Sequence, residues 1–128
     1  MKLENFVASM MRMNTLGRLW HWGTSSAQHH VTFEKFLTEN EQHTDSFVES
    51  IFGNDVNFQV SNVNVQATID GAYDLATARD EIKRYRSNVR EIQAALGNEG
   101  AEYEAELTAI LDGVNELCSK TLYLLNLK

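Results

Sequence analysis

The sequence predicts an all-α protein built from four long helices, and three observations indicate this class. Proline is absent from all 128 residues, and proline is the residue that most strongly interrupts helices. The seven glycines fall mainly where long periodic segments stop, as expected at helix ends. Apolar residues recur at alternating spacings of three and four, which is the period of a helix with one buried face.

The first helix is predicted over residues 2–22 and the second over about residues 27–52. Gly23 to Ser26 form the turn between them, and either Ser25 or Ser26 can cap the second helix. The apolar or small face of the first helix is Leu3, Phe6, Met10, Met13, Gly17 and Trp20. The seam of the second is His30, Phe33, Leu37, Asn40, Thr44, Phe47 and Ile51. Because that seam is partly polar, packing alone does not explain it.

The second half of the chain repeats the helical pattern after a different middle segment. Residues 54–71 alternate apolar and polar positions, which has the period of a strand, although a long ordered connection with a short helix also fits. A third helix is predicted over residues 72–96 and a fourth from about residue 103. Their seams are Leu75, Ala78, Ile82, Tyr85, Val89, Ile92 and Leu96, then Tyr103, Leu107, Ile110, Val114, Leu117, Thr121 and Leu124.

The lengths of the connections predict how the helices are arranged. The first and third connections are only a few residues long, so each must join antiparallel neighbours. The middle connection could extend about 50–60 Å at ~3.3 Å per residue, whereas a helix of 25 residues is about 38 Å long. It can therefore cross the full length of the bundle between helices two and three. This is the ferritin-like four-helix bundle, predicted as a single domain over residues 1–128.

Composition excludes several other classes of protein. No apolar run approaches the length of a membrane span, and residues 1–5 lack the pattern of a secretory signal, so a cytoplasmic location is expected. The one cysteine, Cys118, agrees with a reducing compartment and is expected to be buried. The net charge of −7 counts against DNA as a partner, because phosphate binding needs clustered Lys and Arg.

The residues with chemical potential lie between positions 21 and 49. Asp45 and Glu49 are one helical turn apart, so two carboxylates project from one side of helix two. His30 lies 15 residues before Asp45, about 22 Å away along the helix axis, and cannot share a metal ion with it within one chain. If two copies of helix two pack antiparallel across a two-fold axis, His30 of one copy meets both carboxylates of the other. His21, across the short turn, could add a second imidazole; such ligands suit ferrous iron, and also zinc or manganese.

The order of these residues resembles the signature of the Dps miniferritins. It reads His21-Trp22, then His30 with Phe33 three residues later, then Asp45 and Glu49. The resemblance covers roughly residues 16–52. It implies that His21, His30, Asp45 and Glu49 form an iron-oxidising site shared between two subunits, with Trp22 near the metal. It further implies that ferrous iron is oxidised, often by hydrogen peroxide, and stored inside a shell of twelve subunits.

Two departures from the family pattern keep a second function open. Gly23-Thr24 follow His21-Trp22 and make the turn shorter than is usual in that family, and residues 1–128 carry no Lys/Arg-rich tail. The alternative is a non-catalytic homo-oligomer that uses the miniferritin bundle as a scaffold, an inhibitor or a ligand-binding protein.

Overall fold

Four long helices account for most of the chain. The structure, a computed structural model, describes residues 2–100 and 102–127, apart from the side chain of Glu99. The helices are α1 (Leu3–Gly23), α2 (Ala27–Gly53), α3 (Leu75–Glu99) and α4 (Glu104–Asn126), and a short 3-10 helix spans Val60–Asn62. The described residues contain no strand, so the all-α four-helix class is confirmed. None of the described helices combines the length and the apolar character that crossing a membrane requires.

The helix ends follow from local hydrogen bonding. Ser26, not Ser25, caps α2, because its hydroxyl oxygen accepts the backbone N–H of His29 at 3.1 Å. Asp74 caps α3, and its carboxylate accepts both the hydroxyl and the backbone N–H of Thr77. These hydrogen bonds to the charged form lower the pKa of Asp74. At the end of α3, Gly100 adopts a left-handed backbone with φ of 61°, a conformation that glycine adopts at little cost.

One apolar core receives residues from all four helices. Most of the predicted seam residues are buried, including the whole α3 seam after Leu75. The prediction was wrong for His30, which is exposed, and five seam residues are only half-buried: Leu3, Leu75, Tyr103, Ile110 and Leu124. His30 is exposed because it lies in the first turn of α2, beside the end of α1.

The contacts between helices define two antiparallel hairpins. The ring of Phe6 packs against Phe47, and Trp20 packs against Phe33, with ring centroids 5.3 and 5.6 Å apart. Early residues of α1 therefore lie beside late residues of α2. In the same way α3 and α4 pair closely, and α1 also packs on α3 while α4 packs on α2. Gly17 lets the first hairpin close tightly, because a Cβ there would lie 3.1 Å from Leu37 Cβ.

The connection between α2 and α3 lies along α1. The backbone N–H of Gln59 donates to the carboxylate of Glu4 in the first turn of α1, at 3.1 Å. At the other end of the connection, Tyr73 packs against Gly23, the last residue of α1. Of the two possibilities for residues 54–71, the described residues show the ordered connection with a short helix. Val63 and Ala67 are half-buried between exposed neighbours, so the alternation comes from an extended chain lying on a helix.

A buried polar network explains the polar part of the α2 seam. The side-chain amide of Asn40 donates to the carbonyl oxygen of Met10 and to the side chain of Asn14. Its side-chain oxygen accepts the hydroxyl of Tyr85 at 2.7 Å, and Thr44 donates to its backbone carbonyl. Asn40 is completely buried, and a buried amide must be paired in this way to avoid a large desolvation cost. The network joins α1, α2 and α3 at mid-height in the bundle.

Candidate metal-binding face

Two histidines meet where α1 ends and α2 begins. The rings of His21 and His30 stack with centroids 3.7 Å apart and planes inclined by 24°. Each ring nitrogen Nδ1 is hydrogen-bonded to the other residue's backbone carbonyl, at 2.9 Å from His21 to His30 and 2.7 Å in the reverse direction. The short turn that follows His21-Trp22 therefore brings the two imidazoles together.

These reciprocal hydrogen bonds determine which nitrogen of each ring is free. A carbonyl oxygen only accepts, so Nδ1 must carry the proton in both rings. In a neutral imidazole the lone pair then lies on Nε2, which is the atom that binds a metal ion. A hydrogen bond from the other ring nitrogen also holds a ligating histidine in a fixed orientation. The pair thus presents two Nε2 atoms, each able to bind a metal ion in a fixed orientation, at one end of the first hairpin.

The two carboxylates lie far from this pair within the chain. Asp45 and Glu49 are exposed and sit one turn apart on α2. Because α2 is continuous between His30 and Asp45, these two residues lie about 22 Å apart along the helix axis. In the part of the chain that the structure describes, no three His, Cys, Asp or Glu side chains are close enough together to hold a metal ion. One chain alone brings together His21 and His30, but not the two acids.

Trp22 lies beside the histidine pair and faces outward. Its side chain is 66% exposed, and the guanidinium of Arg18 lies 6.0 Å from the ring centroid. That distance is at the outer limit of a cation–π contact. Trp20 is different, because it is buried in the core against Phe33. The first tryptophan therefore supports the fold, whereas the second is available at the surface.

The interior of the bundle offers no alternative metal site among the described residues. No Asp, Glu or His side chain that the structure describes is buried. The polar centre of the bundle is the Asn40 network, in which Asn40 uses both side-chain atoms in hydrogen bonds with protein groups. Proteins that hold a di-iron centre inside a bundle use inward-facing Glu and His side chains instead. Metal chemistry in this chain would therefore take place at the surface.

The outer side of the first hairpin contains a groove of about 690 Å³. We call it the α1–α2 groove. Its apolar lining comes from both helices and from the connection, and includes Val7, Met11, Val48, Val60, Val63 and Val65. Glu41 and Asp45 also line it, so one of the two candidate carboxylates lies at this groove. A smaller neighbouring depression is lined by Trp22 and Arg18 and shares Asn14, Thr15 and Glu41 with the groove.

Sequence reasoning missed both the groove and Glu41. Glu41 lies four residues before Asp45 and eight before Glu49, and residues one turn apart fall on the same side of a helix. That spacing was the available signal for Glu41. The groove carries no local signal, because four of its seven apolar lining residues belong to the connection. Only the three-dimensional path of that segment brings its valines to α1 and α2.

The two remaining histidines face other surroundings. His29 packs edge-on against the ring of Phe33. His43 lies on the opposite side of α2 from the groove, against α4, where a Cβ at Gly113 would be 2.7 Å from its ring. Burial in this position lowers the pKa of His43, and the carboxylate of Glu39 partly opposes the shift. Neither histidine joins the His21–His30 pair.

No protein-family model matches the chain, and neither a curated protein nor a solved structure gives a significant match. The resemblance to the Dps miniferritins therefore rests on the motif residues of the sequence alone.

Proposed function

We propose that this protein is a Dps-like, ferritin-like iron protein that oxidises ferrous iron at a site shared between two subunits. In this proposal His21 and His30 of one chain meet Asp45 and Glu49 of a second chain across a two-fold axis. The connection between α2 and α3, which lies along α1, serves as the long crossover of a ferritin-like bundle. Trp22 lies beside the metal, and the dimers build a cytoplasmic shell of twelve subunits that stores the ferric product.

The observation that carries the proposal is the His21–His30 pair. Two imidazoles whose Nδ1 atoms are both held by backbone carbonyls present two Nε2 donors in fixed positions. A stacked surface pair of this kind has no evident role in packing, because His30 is exposed and His21 is half-exposed. The carboxylates that would complete the site lie on the same helix at a distance that only a second, antiparallel copy can bridge.

The residues present suit ferrous iron as substrate. Imidazole nitrogens and carboxylate oxygens together form a donor set of the kind that binds iron, and zinc or manganese could also bind. Oxidation raises the charge on each iron ion by one, and the negative charges of Asp45 and Glu49 stabilise that increase. Each ferrous ion gives up one electron. Hydrogen peroxide accepts two electrons and two protons and becomes water, so one peroxide oxidises two ferrous ions.

The test is the rate of ferrous oxidation by peroxide or by air, followed optically with wild-type protein and a His30→Ala/Asp45→Ala variant. We expect the variant to lose at least about tenfold in rate, as is common when metal-site groups are removed. The matched control is His29→Ala/Asp80→Ala, which removes a neighbouring histidine and an exposed acid outside the site. Equal rates for wild type and the His30→Ala/Asp45→Ala variant would refute the site.

The alternative is an oligomer that has the same bundle but no redox activity. The observation that favours it is the α1–α2 groove, since an apolar surface of this kind marks an interaction site whether or not metal binds. Metal analysis of protein expressed in medium supplemented with iron or manganese separates the two functions. About one equivalent or more of metal per chain, lost in the His30→Ala variant, supports the iron protein. Metal-free protein that still assembles supports the scaffold.

A further inference from the structure

Among the described residues, the most exposed aromatic side chain lies on the same side of the first hairpin as the α1–α2 groove. Trp22 is 66% exposed and lies at the end of α1 that adjoins the start of α2. The α1–α2 groove lies further along the hairpin, at the level of Glu41 to Val48 of α2. The two features are joined, because the depression beside Trp22 and the groove share Asn14, Thr15 and Glu41.

When two copies pack antiparallel, Trp22 of each chain lies at the same height along the helices as the α1–α2 groove of the other. His21 stacks on His30, so Trp22 lies at the level of His30 on α2. A two-fold axis that brings His30 of one chain to Asp45 of another lies halfway between them, about 11 Å from each. The same axis brings Trp22 of each chain to the level of Asp45 in the other. That level is the α1–α2 groove.

The side chains along α1 support this direction of docking. Met11, Thr15, Arg18 and Trp22 follow one another at spacings of four, three and four, so they form one stripe on the outer side of α1. All four are exposed. Met11 and Thr15 line the groove, whereas Arg18 and Trp22 line the depression. In an antiparallel pair of copies, the aromatic end of each stripe lies over the groove end of the other.

Shape, polarity and charge agree with an indole as the occupant. A tryptophan side chain buries about 150–250 Å² and combines an apolar body with one N–H donor. The groove has a volume of about 690 Å³ and is lined mainly by apolar side chains. Glu41 and Asp45 supply carboxylate oxygens that can accept the indole N–H. Arg18, which accompanies Trp22, brings a positive charge toward these two acids.

We propose that Trp22 of each chain fills the α1–α2 groove of a second copy, and that this reciprocal contact anchors the dimer whether or not metal is bound. The alignment of the two copies rests on the proposed function, because it uses the meeting of His30 with the partner's Asp45. The anchoring contact itself needs no metal. Aromatic residues that enter a partner's pocket carry much of the binding free energy in protein interfaces.

The test measures self-association of the full chain in EDTA by sedimentation velocity over a range of protein concentrations. Trp22→Ala removes the occupant, and Val60→Glu places a charge in the groove at a position that is 66% exposed. Tyr123→Ala and Tyr123→Glu are matched controls, because Tyr123 on α4 is 63% exposed and lies outside the groove. Circular dichroism verifies that each variant retains its helices.

We expect wild type and both Tyr123 variants to dimerise, and each of the other two variants to weaken the dimer by at least about tenfold. Tryptophan fluorescence of wild type should shift to shorter wavelength as the dimer forms, whereas Val60→Glu should show this shift only at protein concentrations at least about tenfold higher. Trp20 contributes a constant signal because it is already buried. A Trp22→Ala variant that dimerises as tightly as wild type overturns the inference, and so does a wild-type chain that stays monomeric in EDTA.

The outcome is independent of the test of iron oxidation. If Trp22→Ala weakens the dimer and the His30→Ala/Asp45→Ala variant still oxidises iron at the wild-type rate, the anchor stands and the proposed function fails. If oxidation depends on His30 and Asp45 but the Trp22→Ala dimer is unchanged, the site stands and the anchor is wrong.

Discussion

The two helical hairpins have the same three-four periodicity but leave different surfaces. The hairpin of α1 and α2, with the connection that follows it, exposes large apolar side chains at Met11, Trp22, Val31, Phe52, Val60 and Val65. The hairpin of α3 and α4 and the residue after it expose Tyr123 and Leu127 among the described residues. Hydrogen bonds between polar side chains lie on its outer side, such as the one that Gln93 donates to the carboxylate of Asp112 at 2.8 Å.

Because of this difference, the second hairpin mainly stabilises the fold, whereas the first also offers a surface for association. The seam of α3 is apolar from Ala78 to Leu96 and fully buried, so its side chains already have their partners within the chain. The first hairpin buries its own seam equally well, yet it also retains a paired-histidine end, a groove and an exposed tryptophan. Apolar surface of this extent, next to polar groups with defined orientation, is typical of an interaction face. The first hairpin is therefore where a second copy is expected.

The largest expected effect comes from mixing two inactive variants. His30→Ala and Asp45→Ala should each lower ferrous oxidation to near background, because each removes one ligand from both sites of a dimer. In a mixed dimer, both substitutions fall in one site and the other site is intact. Random exchange of subunits should restore about a quarter of the wild-type rate. The measurement is the rate before and after the two proteins are unfolded and refolded together.

Each variant refolded alone is the control for this mixing experiment. Mixing that restores no activity, although mass spectrometry detects the mixed dimers, would contradict a site shared between chains. Asp112 and Glu116 lie on α4, in the second hairpin, and substitutions there offer a comparison. We expect Asp112→Ala and Glu116→Ala each to oxidise iron at the wild-type rate before mixing.

A glycine in each hairpin tests how tightly the two pairs of helices pack. At Gly17 a new Cβ would lie 3.1 Å from Leu37 Cβ and 3.3 Å from a ring carbon of Phe36. Gly17→Ala should therefore cost about 1–3 kcal/mol of unfolding free energy. At Gly97 the nearest atom is a carboxylate oxygen of Glu104 at 3.4 Å, so Gly97→Ala should stabilise α3 by up to about 1 kcal/mol.

Urea denaturation measures both changes, and the sign of the difference is the decisive result. A Gly17→Ala variant as stable as wild type would mean that α1 and α2 do not approach as closely as the structure describes. Because His21 follows Gly17 by one turn, we also expect Gly17→Ala to disturb the His21–His30 pair, and hence to weaken metal binding. Gly97→Ala should leave metal binding unchanged.

Much of the fold could be predicted because helical periodicity is a local signal. The four helices and the buried seam of α3 follow from spacings of three and four, and Ser26 was one of two predicted caps. The conformation of residues 54–71 could not be settled, since an extended chain on a helix surface alternates just as a strand does. The backbone hydrogen bonds that distinguish the two depend on whether a partner strand is present.

The candidate site could be predicted only in part. The separation of His30 from Asp45 follows from helix geometry alone. The short turn indicated His21 as a second imidazole, and the resemblance to Dps implied the role of Trp22. The stacking of the two imidazoles depends on how far α1 and α2 are offset from each other, and that offset arises from packing between the two helices rather than from the sequence pattern of either one. The path of the connection determines the groove in the same way, because it places Val60 and Val65 against residues distant in sequence.

The smallest expected effect concerns His43, which lies at the contact between the two hairpins. Burial against Gly113 lowers the pKa of His43 in the folded chain, and the negative charge of Glu39 opposes the shift only partly. The unfolded chain then binds the proton more readily than the folded chain. His43 therefore contributes stability above its ordinary pKa of 6.5, and that contribution is lost as the pH falls toward the lower, folded-state pKa.

Replacing His43 with Gln removes this titration while retaining a polar side chain. We expect the unfolding free energy of His43→Gln, measured by urea denaturation between pH 8 and pH 5, to fall less steeply than that of wild type. Gln42→Ala is the matched control and should keep the wild-type slope, because it changes the neighbouring exposed side chain on α2 and removes no titratable group. A His43→Gln profile parallel to wild type would show that the imidazole is as free to accept a proton in the folded chain as in the unfolded one. In that case His43 would not be confined between α2 and α4, and the contact between the two hairpins would be looser there than the close approach at Gly113 implies.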